Sequence, residues 1–210
     1  MLPQAIEDLS EKFQVFPGIG KRSSQKLALD LLELDIQKYQ ELLGSLQQVR
    51  QEISFCKTCG FFSSKKQSNS ICEICQDETR NSYQLCILEK PTDVLTIEKS
   101  QIFRGKYHVL TNLISPLDNI FAENTTISQL VASRIPSLLQ KNNDLEVIIF
   151  FRAGFAAEAT TAYIKDLLQE KGLLKNLKIT KLAQGLPLYY NPDTLDQATM
   201  IQALEDRREI

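Results

Sequence analysis

The sequence predicts an α+β protein of several domains, with N-terminal helices, a small cysteine module, and an α/β region built on a mostly parallel sheet. Apolar residues recur at helical spacing over residues 3–54. Two Cys-x-x-Cys pairs follow within residues 56–75. Beyond residue 85, short apolar runs alternate with helical patterns, which is typical of parallel strands joined by helices. We therefore expect four segments, at residues 1–54, 55–79, 80–182 and 183–210.

The N-terminal segment is predicted to hold three helices, because its apolar residues follow a period of about 3.6. We expect these helices at residues 3–15, 22–34 and 36–54. The second carries its apolar residues on one face, namely Leu27, Leu31 and Leu34. A Pro-Gly-Ile-Gly turn at residues 17–20 separates the first two helices, since glycine and proline favour turns.

The α/β region is predicted to alternate strands and helices. The apolar runs place strands at residues 85–88, 107–110, 147–151 and 177–182. Helical patterns fall at about residues 92–99, 126–140, 156–171 and 196–207. Cys86 lies in the first strand and is interpreted as a small buried residue. The single histidine, His108, lies in the second strand and is interpreted as a structural residue with its hydrogen bonds satisfied. Residues 142–144 are expected to form a surface turn.

Four cysteines have the spacing of a zinc module. Cys56 and Cys59 form one Cys-x-x-Cys pair, and Cys72 and Cys75 form the other after twelve intervening residues. A two-residue gap lets one turn present two sulfurs to a single ion, and zinc prefers four tetrahedral thiolates. Gly60 permits a tight turn after the second ligand. Four sulfurs leave no position for water, so we expect one structural zinc ion.

The Pro-Gly-Ile-Gly turn between two helices has the pattern of a helix-hairpin-helix. Gly18 and Gly20 have no Cβ, so a phosphate group can approach the backbone closely. The amides that open the second helix are unpaired and carry the positive end of the helix dipole. Lys21 and Arg22 add positive charge there, while Ile19 is expected to point inward. The pattern predicts DNA binding without sequence specificity. The alternative is a plain turn between two helices.

The overall composition restricts where nucleic acid could bind. The formal net charge is −2, so any cations that contact phosphate must be concentrated locally. The first residues carry acids where a secretory signal would be apolar. The longest apolar run, residues 147–151, is too short to span a bilayer. We therefore expect an intracellular protein without membrane association.

The hairpin PGIGKRSSQKLA, the four-cysteine module and the stretch LCILEKPTDVLTIEKSQIFRGKYHVLTNLISPLDNI together resemble the RecR family of bacterial recombination mediators. Gly185-Leu186-Pro187 and a final ALEDRR add to the resemblance, which covers nearly the whole chain. It implies a helix-hairpin-helix domain that binds DNA, a zinc finger, a Toprim domain and a C-terminal segment that completes the fold. It also implies a homo-oligomeric, tetrameric ring able to encircle DNA in the cytoplasm at the nucleoid. The family acts with RecO, and in some bacteria RecF, to load RecA onto gapped DNA.

The resemblance assigns individual residues by position. Gly18, Gly20, Lys21 and Arg22 match the DNA-binding hairpin of the family. The four cysteines match its zinc ligands. Glu89 matches the acid at the end of the first Toprim strand, where it would contact a partner or accept backbone hydrogen bonds.

Two stretches depart from the family pattern. Residues 152–158 retain Glu158 but lack the acidic pair that the family has there, and residues 188–193 replace the glycine-rich, acidic family sequence. Magnesium needs several clustered oxygen ligands, and Glu89 with a neighbouring Arg152 does not supply them. The sequence therefore predicts no enzymatic activity. It leaves open what the Toprim face binds.

Three functions remain in competition at this stage. The first is a DNA-binding recombination mediator. The second is a zinc-stabilised adaptor that holds a protein partner through its altered loops, with Tyr189 and Tyr190 exposed, and has little DNA binding of its own. The third, a Toprim nuclease or primase, requires a carboxylate cluster that the sequence lacks.

Overall fold

The computed structural model describes residues 2–66, 70–142, 144–182 and 197–205. The chain divides into two compact units, Met1–Ile53 and Ser54–Ile210. The expected further boundaries at residues 79 and 182 stay predictions. The motif at residues 185–187, the altered stretch at 188–193 and the end of ALEDRR lie outside the described residues.

The N-terminal unit consists of three helices, α1 (Gln4–Phe13), α2 (Lys21–Glu33) and α3 (Ile36–Glu52). Small residues form the contact between α1 and α2: Ser10, Ser24 and Ala28 are buried, and the Ser10 and Ser24 hydroxyls lie 2.9 Å apart. Small side chains let two helix backbones approach closely, which fixes the turn between them. The bounds of these three helices confirm that the segment holds the three predicted helices.

The predicted end of the third helix at residue 54 is wrong. Helix α3 begins after Asp35, whose carboxylate accepts a hydrogen bond of 2.9 Å from the Lys38 amide, and it ends at Glu52. The chain then becomes extended in β1 (Ile53–Phe55), which pairs with β2 (Phe62–Ser64). These two strands lie on either side of the first two cysteines, and their pairing requires an extended backbone. Strand pairing therefore overrides the helical pattern that the sequence shows at residues 53 and 54. A short helix, α4 (Glu73–Gln76), carries the last cysteine.

The larger unit is built on a sheet of four parallel strands in the order β4-β3-β5-β6. The strands are β3 (Gln84–Leu88), β4 (Lys106–Val109), β5 (Leu145–Phe150) and β6 (Leu177–Lys181). All four predicted strands and the parallel arrangement are confirmed. Alternate residues of β3 face opposite sides of the sheet. Leu85 and Ile87 join the larger core cluster, whereas Cys86 and Leu88 join a smaller one.

The remaining helices in the described part of the larger unit are α5 (Pro91–Ser100), α6 (Ile127–Gln129), α7 (Ile135–Leu139), α8 (Phe155–Glu170) and α9 (Gln197–Glu205). The predicted helix at 126–140 is interrupted by a π-helical turn, Leu130–Arg134, between α6 and α7. Pro136 lacks the amide that a regular α-helix would use, and a wider turn accommodates that loss. No described helix is long and apolar enough to cross a membrane.

The predicted surface turn at residues 142–144 is wrong for Asn142. This side chain is buried and donates hydrogen bonds to the carbonyls of Ser82 at 3.0 Å and Leu138 at 3.2 Å. Asn142 therefore ties the end of α7 to the start of the sheet. Residue 143 lies outside the described residues.

Candidate metal centre and nucleic-acid interface

The four predicted cysteine ligands come together at one point. One sulfur from each of Cys56, Cys59, Cys72 and Cys75 lies within 4.8 Å of the others, and the first three are buried. The Sγ atoms of Cys59 and Cys72 are 3.5 Å apart, and all four cysteines are free. A disulfide needs about 2.05 Å. A tetrahedral zinc–thiolate site with bonds of about 2.3 Å places its sulfurs about 3.8 Å apart. The spacing therefore fits a metal site.

Backbone hydrogen bonds orient the four cysteine sulfurs. The Gly60 amide donates to the Cys56 carbonyl at 2.9 Å and closes the first turn, with Gly60 at a φ of +76°. The Cys72 amide donates to the Cys56 sulfur at 3.3 Å. The sulfurs also polarise one another: hydrogen bonds from the other three cysteines, Cys59 first, lower the pKa of Cys56, while the contact with Cys56 raises the pKa of Cys59.

The cysteine module is fixed to the edge strand of the sheet. The Val109 amide of β4 donates to the Cys59 carbonyl at 2.8 Å. A Cβ added to Gly60 would lie 3.0 Å from the Val109 carbonyl oxygen and 3.2 Å from its Cβ. Only glycine fits so close an approach in this backbone conformation. The cysteine module is therefore packed directly against β4.

The predicted phosphate-binding residues lie in one solvent-facing loop. Gly18 has a φ of +85°, and Gly20 precedes α2 in an extended conformation. A Cβ added at either glycine would have no atom within 4 Å among the described residues. The side chains of Lys21 and Arg22 are exposed. Ile19 is half-buried, and its inward orientation stays a prediction.

Free backbone donors open helix α2. Its first intrahelical hydrogen bond runs from the Ser24 amide to the Gly20 carbonyl at 2.9 Å. The amides of residues 21–23 precede that bond and have no partner within the helix. The Ser24 hydroxyl donates to the Lys21 carbonyl at 2.9 Å, which holds the first turn. The loop therefore combines open glycines, free amides and two cations.

Glu89 lies at the carboxyl end of β3 and lines a cavity of about 260 Å³ together with Asn112, Asp118 and Arg152. Its carboxylate oxygen is 3.7 Å from the ammonium nitrogen of Lys90. Glu158 is the acid of the family pattern that this sequence retains. It lines a different cavity, and its carboxylate oxygen is 3.6 Å from the ammonium nitrogen of Lys181. Among the described residues, the four cysteines form the group positioned to hold a metal ion.

Two buried cations beside the cysteines were not predicted. Arg134 approaches Cys75, and Lys106 contacts the backbone of α4. Arg134 could have been recognised as a cation on the apolar face of a predicted helix, next to Leu130, Val131 and Ile135. Nothing in the sequence connects Lys106 with residues 74–77.

His108 is buried, and its Nε2 lies 3.0 Å from the Thr126 hydroxyl. Thr126 donates its own hydroxyl hydrogen to the Val109 carbonyl at 2.8 Å, so Nε2 must be the donor to Thr126. Nδ1 has no hydrogen-bond partner among the described residues, so the prediction of a fully satisfied histidine is wrong at that atom. Burial lowers the pKa of His108 to about 4.

The fold defines a protein class in which a helical hairpin precedes a metal module and a parallel-sheet domain. A family model described as "RecR, helix-hairpin-helix" matches residues 6–50, and one described as "Toprim domain" matches residues 83–183. The chain is therefore a helix-hairpin-helix protein with a Toprim domain.

Relatives named "Recombination protein RecR" match along the full length. The one from Desulforapulum autotrophicum is 36% identical over 99% of this chain and 98% of its own. That from Thermobifida fusca is 32% identical over 100% of this chain and 99% of its own, and that from Streptomyces coelicolor is 32% identical over 99% and 98%. The chain belongs to the RecR family, which confirms the resemblance drawn from its motifs.

Proposed function

We propose that this protein is a recombination mediator in DNA repair that binds DNA without sequence specificity. The observation that carries this proposal is the loop at residues 18–22, which presents open glycines, free amides and two exposed cations to solvent. Such a loop contacts the sugar–phosphate backbone, which is the same for every base sequence. The names of the relatives support a role in recombination.

The metal is proposed to be a single zinc ion with a structural role. Four thiolate donors at tetrahedral spacing suit zinc, and Cys56, Cys59, Cys72 and Cys75 would hold it. Bound zinc would cross-link the module. It would not activate a water molecule, because thiolates fill all four coordination positions. The chain itself supplies the geometry, through the turn at Gly60 and the Val109 contact.

We propose no enzymatic activity for the Toprim domain. Glu89 pairs with Lys90 and shares its cavity with Asp118 and Arg152, and no cluster of three or more acids that could hold a metal ion occurs among the described residues. Catalysis with magnesium requires several oxygen ligands around one ion. Glu89 is instead proposed to contact a partner protein at this end of the sheet.

Assembly into a homo-oligomer, a tetrameric ring, is proposed from the surface of the N-terminal unit. Its apolar residues stay largely exposed, including Leu32 at 67%, Ile36 at 74%, and Leu46 and Val49 at 60% each. Exposed apolar area of this extent favours association with another copy. Light scattering tests this proposal: a multiple of the 23.9 kDa chain mass is expected, and the mass of one chain would contradict it.

Partner proteins of the RecO type, and in some bacteria the RecF type, are proposed to act with this chain in loading a recombinase at gapped DNA in the nucleoid. An adaptor with little DNA binding is the second candidate. It is favoured by Leu117 and Phe155, which are 95% and 92% exposed. Tyr189 and Tyr190, which the adaptor hypothesis also invoked, lie outside the described residues.

The DNA-binding proposal is tested by replacing Lys21 and Arg22 with alanine and titrating DNA affinity against salt. Each phosphate contact on duplex DNA contributes about 0.9 to the slope of log affinity against log salt, and about 0.7 on a single strand. Loss of both contacts should weaken binding about tenfold at moderate salt and flatten the slope by about 1.5.

The matched control is Lys165→Ala with Lys171→Ala, which removes the same two charges from the exposed surface of α8 and its C-terminal end. We expect this control to bind DNA as the parent does. Parental affinity and slope in the hairpin variant would contradict the assignment. Weak binding by all proteins, together with retention of a mediator partner, would favour the adaptor.

A further inference from the structure

Arg134 is a buried cation whose charge has no carboxylate partner among the described residues. It ends the π-helical turn and is only 7% exposed. Its Nη2 donates to the Tyr107 carbonyl at 3.3 Å and lies 3.7 Å from the Cys75 sulfur. Its Nε has no hydrogen-bond partner in the part of the chain that the structure describes. An unpaired buried charge is strongly destabilising, so a compensating negative charge is required nearby.

Lys106 is a second buried cation on the same side of the module. It begins β4, is 7% exposed, and donates to the carbonyls of Ile74 at 3.1 Å, Cys75 at 3.3 Å and Asp77 at 2.6 Å. Three carbonyl acceptors require three hydrogens on one nitrogen, which only the ammonium form supplies. Those carbonyls lie at the C-terminal end of α4 and beyond it, where a positive charge is favoured.

The charges balance when a divalent ion is bound. A zinc ion with four thiolates carries a net charge of minus two, and Arg134 and Lys106 together carry plus two. No carboxylate in the described ranges lies within 4.0 Å of either side chain. By contrast Arg80, which is equally buried, is paired with Glu98 at 2.6 Å. The metal–thiolate centre therefore supplies the negative charge that neutralises these two cations.

We propose that Arg134 and Lys106 are positioning residues of the metal centre, which neutralise its charge and hold Cys75 and the end of α4 in place. This inference rests on the proposed identity of the metal. Arg134 comes from the helical layer and Lys106 from the edge strand, so both couple the metal to the Toprim domain. The cysteine module is accordingly held by the domain as well as by its ion.

The test compares zinc binding by Arg134→Met and Lys106→Met with the parent. Zinc affinity is measured by competition with a chromophoric chelator, and the thiolate environment by the charge-transfer absorption of the cobalt(II) form. Loss of a residue that orients a metal ligand lowers affinity by about 10- to 100-fold. We expect that loss in both variants, with a shifted cobalt(II) absorption. Arg134→Lys, which keeps the charge, should recover most of the affinity.

The matched control is Arg80→Met, which removes an arginine of the same 7% exposure but one that pairs with Glu98. It should lower the melting temperature yet keep zinc affinity within about threefold of the parent. Parental zinc affinity in Arg134→Met and Lys106→Met would overturn the proposal, as would an equal loss in Arg80→Met. If Arg134→Met does not fold, Lys106→Met decides the question. A parent that binds neither zinc nor cobalt(II) would overturn the zinc assignment itself, and this inference with it.

Discussion

His108 is the single histidine of the chain and is held neutral in the core. Burial lowers its pKa from 6.5 to about 4, and the nearby Arg134 charge adds to this effect. The unfolded chain takes up a proton near pH 6.5, whereas the folded chain does so only near pH 4. Stability from this residue is therefore full above pH 6.5 and falls as the pH drops from 6.5 to 4.

We expect the free energy of unfolding to decrease by about 1.4 kcal/mol for each pH unit in that window through His108 alone. Urea unfolding at pH 7.0 and 5.5, for the parent and for His108→Gln, measures this contribution. The variant should lose less stability than the parent between the two pH values. Identical losses in both proteins would contradict the assigned pKa.

Residues that act through local spacing could be predicted, whereas those that act through tertiary contact could not. The grouping of the four cysteines follows from short motifs whose chemistry is set by their neighbours in sequence, and the role of Lys21 stays a prediction from such a motif. Arg134 and Cys75 meet although 59 positions separate them, and no local pattern encodes that contact. The pairing of Glu89 with Lys90 is local, whereas the pairing of Glu158 with Lys181 depends on how α8 and β6 are placed.

Among the helices and strands, the long periodic ones were predicted and the shortest were not. Strands β3 to β5 bury apolar residues, and β6 partly buries Leu177 and Ile179, in runs long enough for the sequence pattern to be visible. Strands β1 and β2 have only three residues each, too few for a period to emerge, and they exist because they pair with each other around the first cysteines. The π-helical turn likewise requires knowing how the chain accommodates Pro136.

The contact between the cysteine module and β4 gives a prediction on Gly60. Gly60→Ala adds a side chain at a φ of +76° and within 3.0 Å of the Val109 carbonyl. Gly172→Ala is the matched control, because Gly172 has a φ of +66° but no atom within 4 Å of the added Cβ in the described structure. Backbone strain alone should cost about 1 kcal/mol in the control.

Strain and overpacking together should cost about 3 kcal/mol in Gly60→Ala. Chemical unfolding of both variants measures the difference in the free energy of unfolding. Equal destabilisation by the two substitutions would mean that the module is not packed against β4 as described.

The chain as a whole combines a mildly acidic composition with a local cluster of cations at the proposed nucleic-acid interface. Its formal net charge is −2, yet Lys21 and Arg22 lie beside free amides in a single loop. Helical periodicity predicted an apolar face on the second helix, but Leu27 of α2 and Leu34, directly after its end, are 39% and 37% exposed. Sequence periodicity identifies such a face without revealing what covers it. Several hairpins in one oligomer would bind DNA together, so weak single contacts would multiply.

The substitution Gly20→Ala tests the central claim that bare backbone receives a phosphate group. Gly20 has a φ of −83° and open space around an added Cβ, so alanine should change stability by less than about 1 kcal/mol. The methyl group nevertheless occupies the space through which phosphate approaches the amides of α2. We expect DNA affinity, measured by fluorescence anisotropy on the folded protein, to fall at least about tenfold because each hairpin loses its phosphate contact. Unchanged affinity in a folded Gly20→Ala protein would contradict the account.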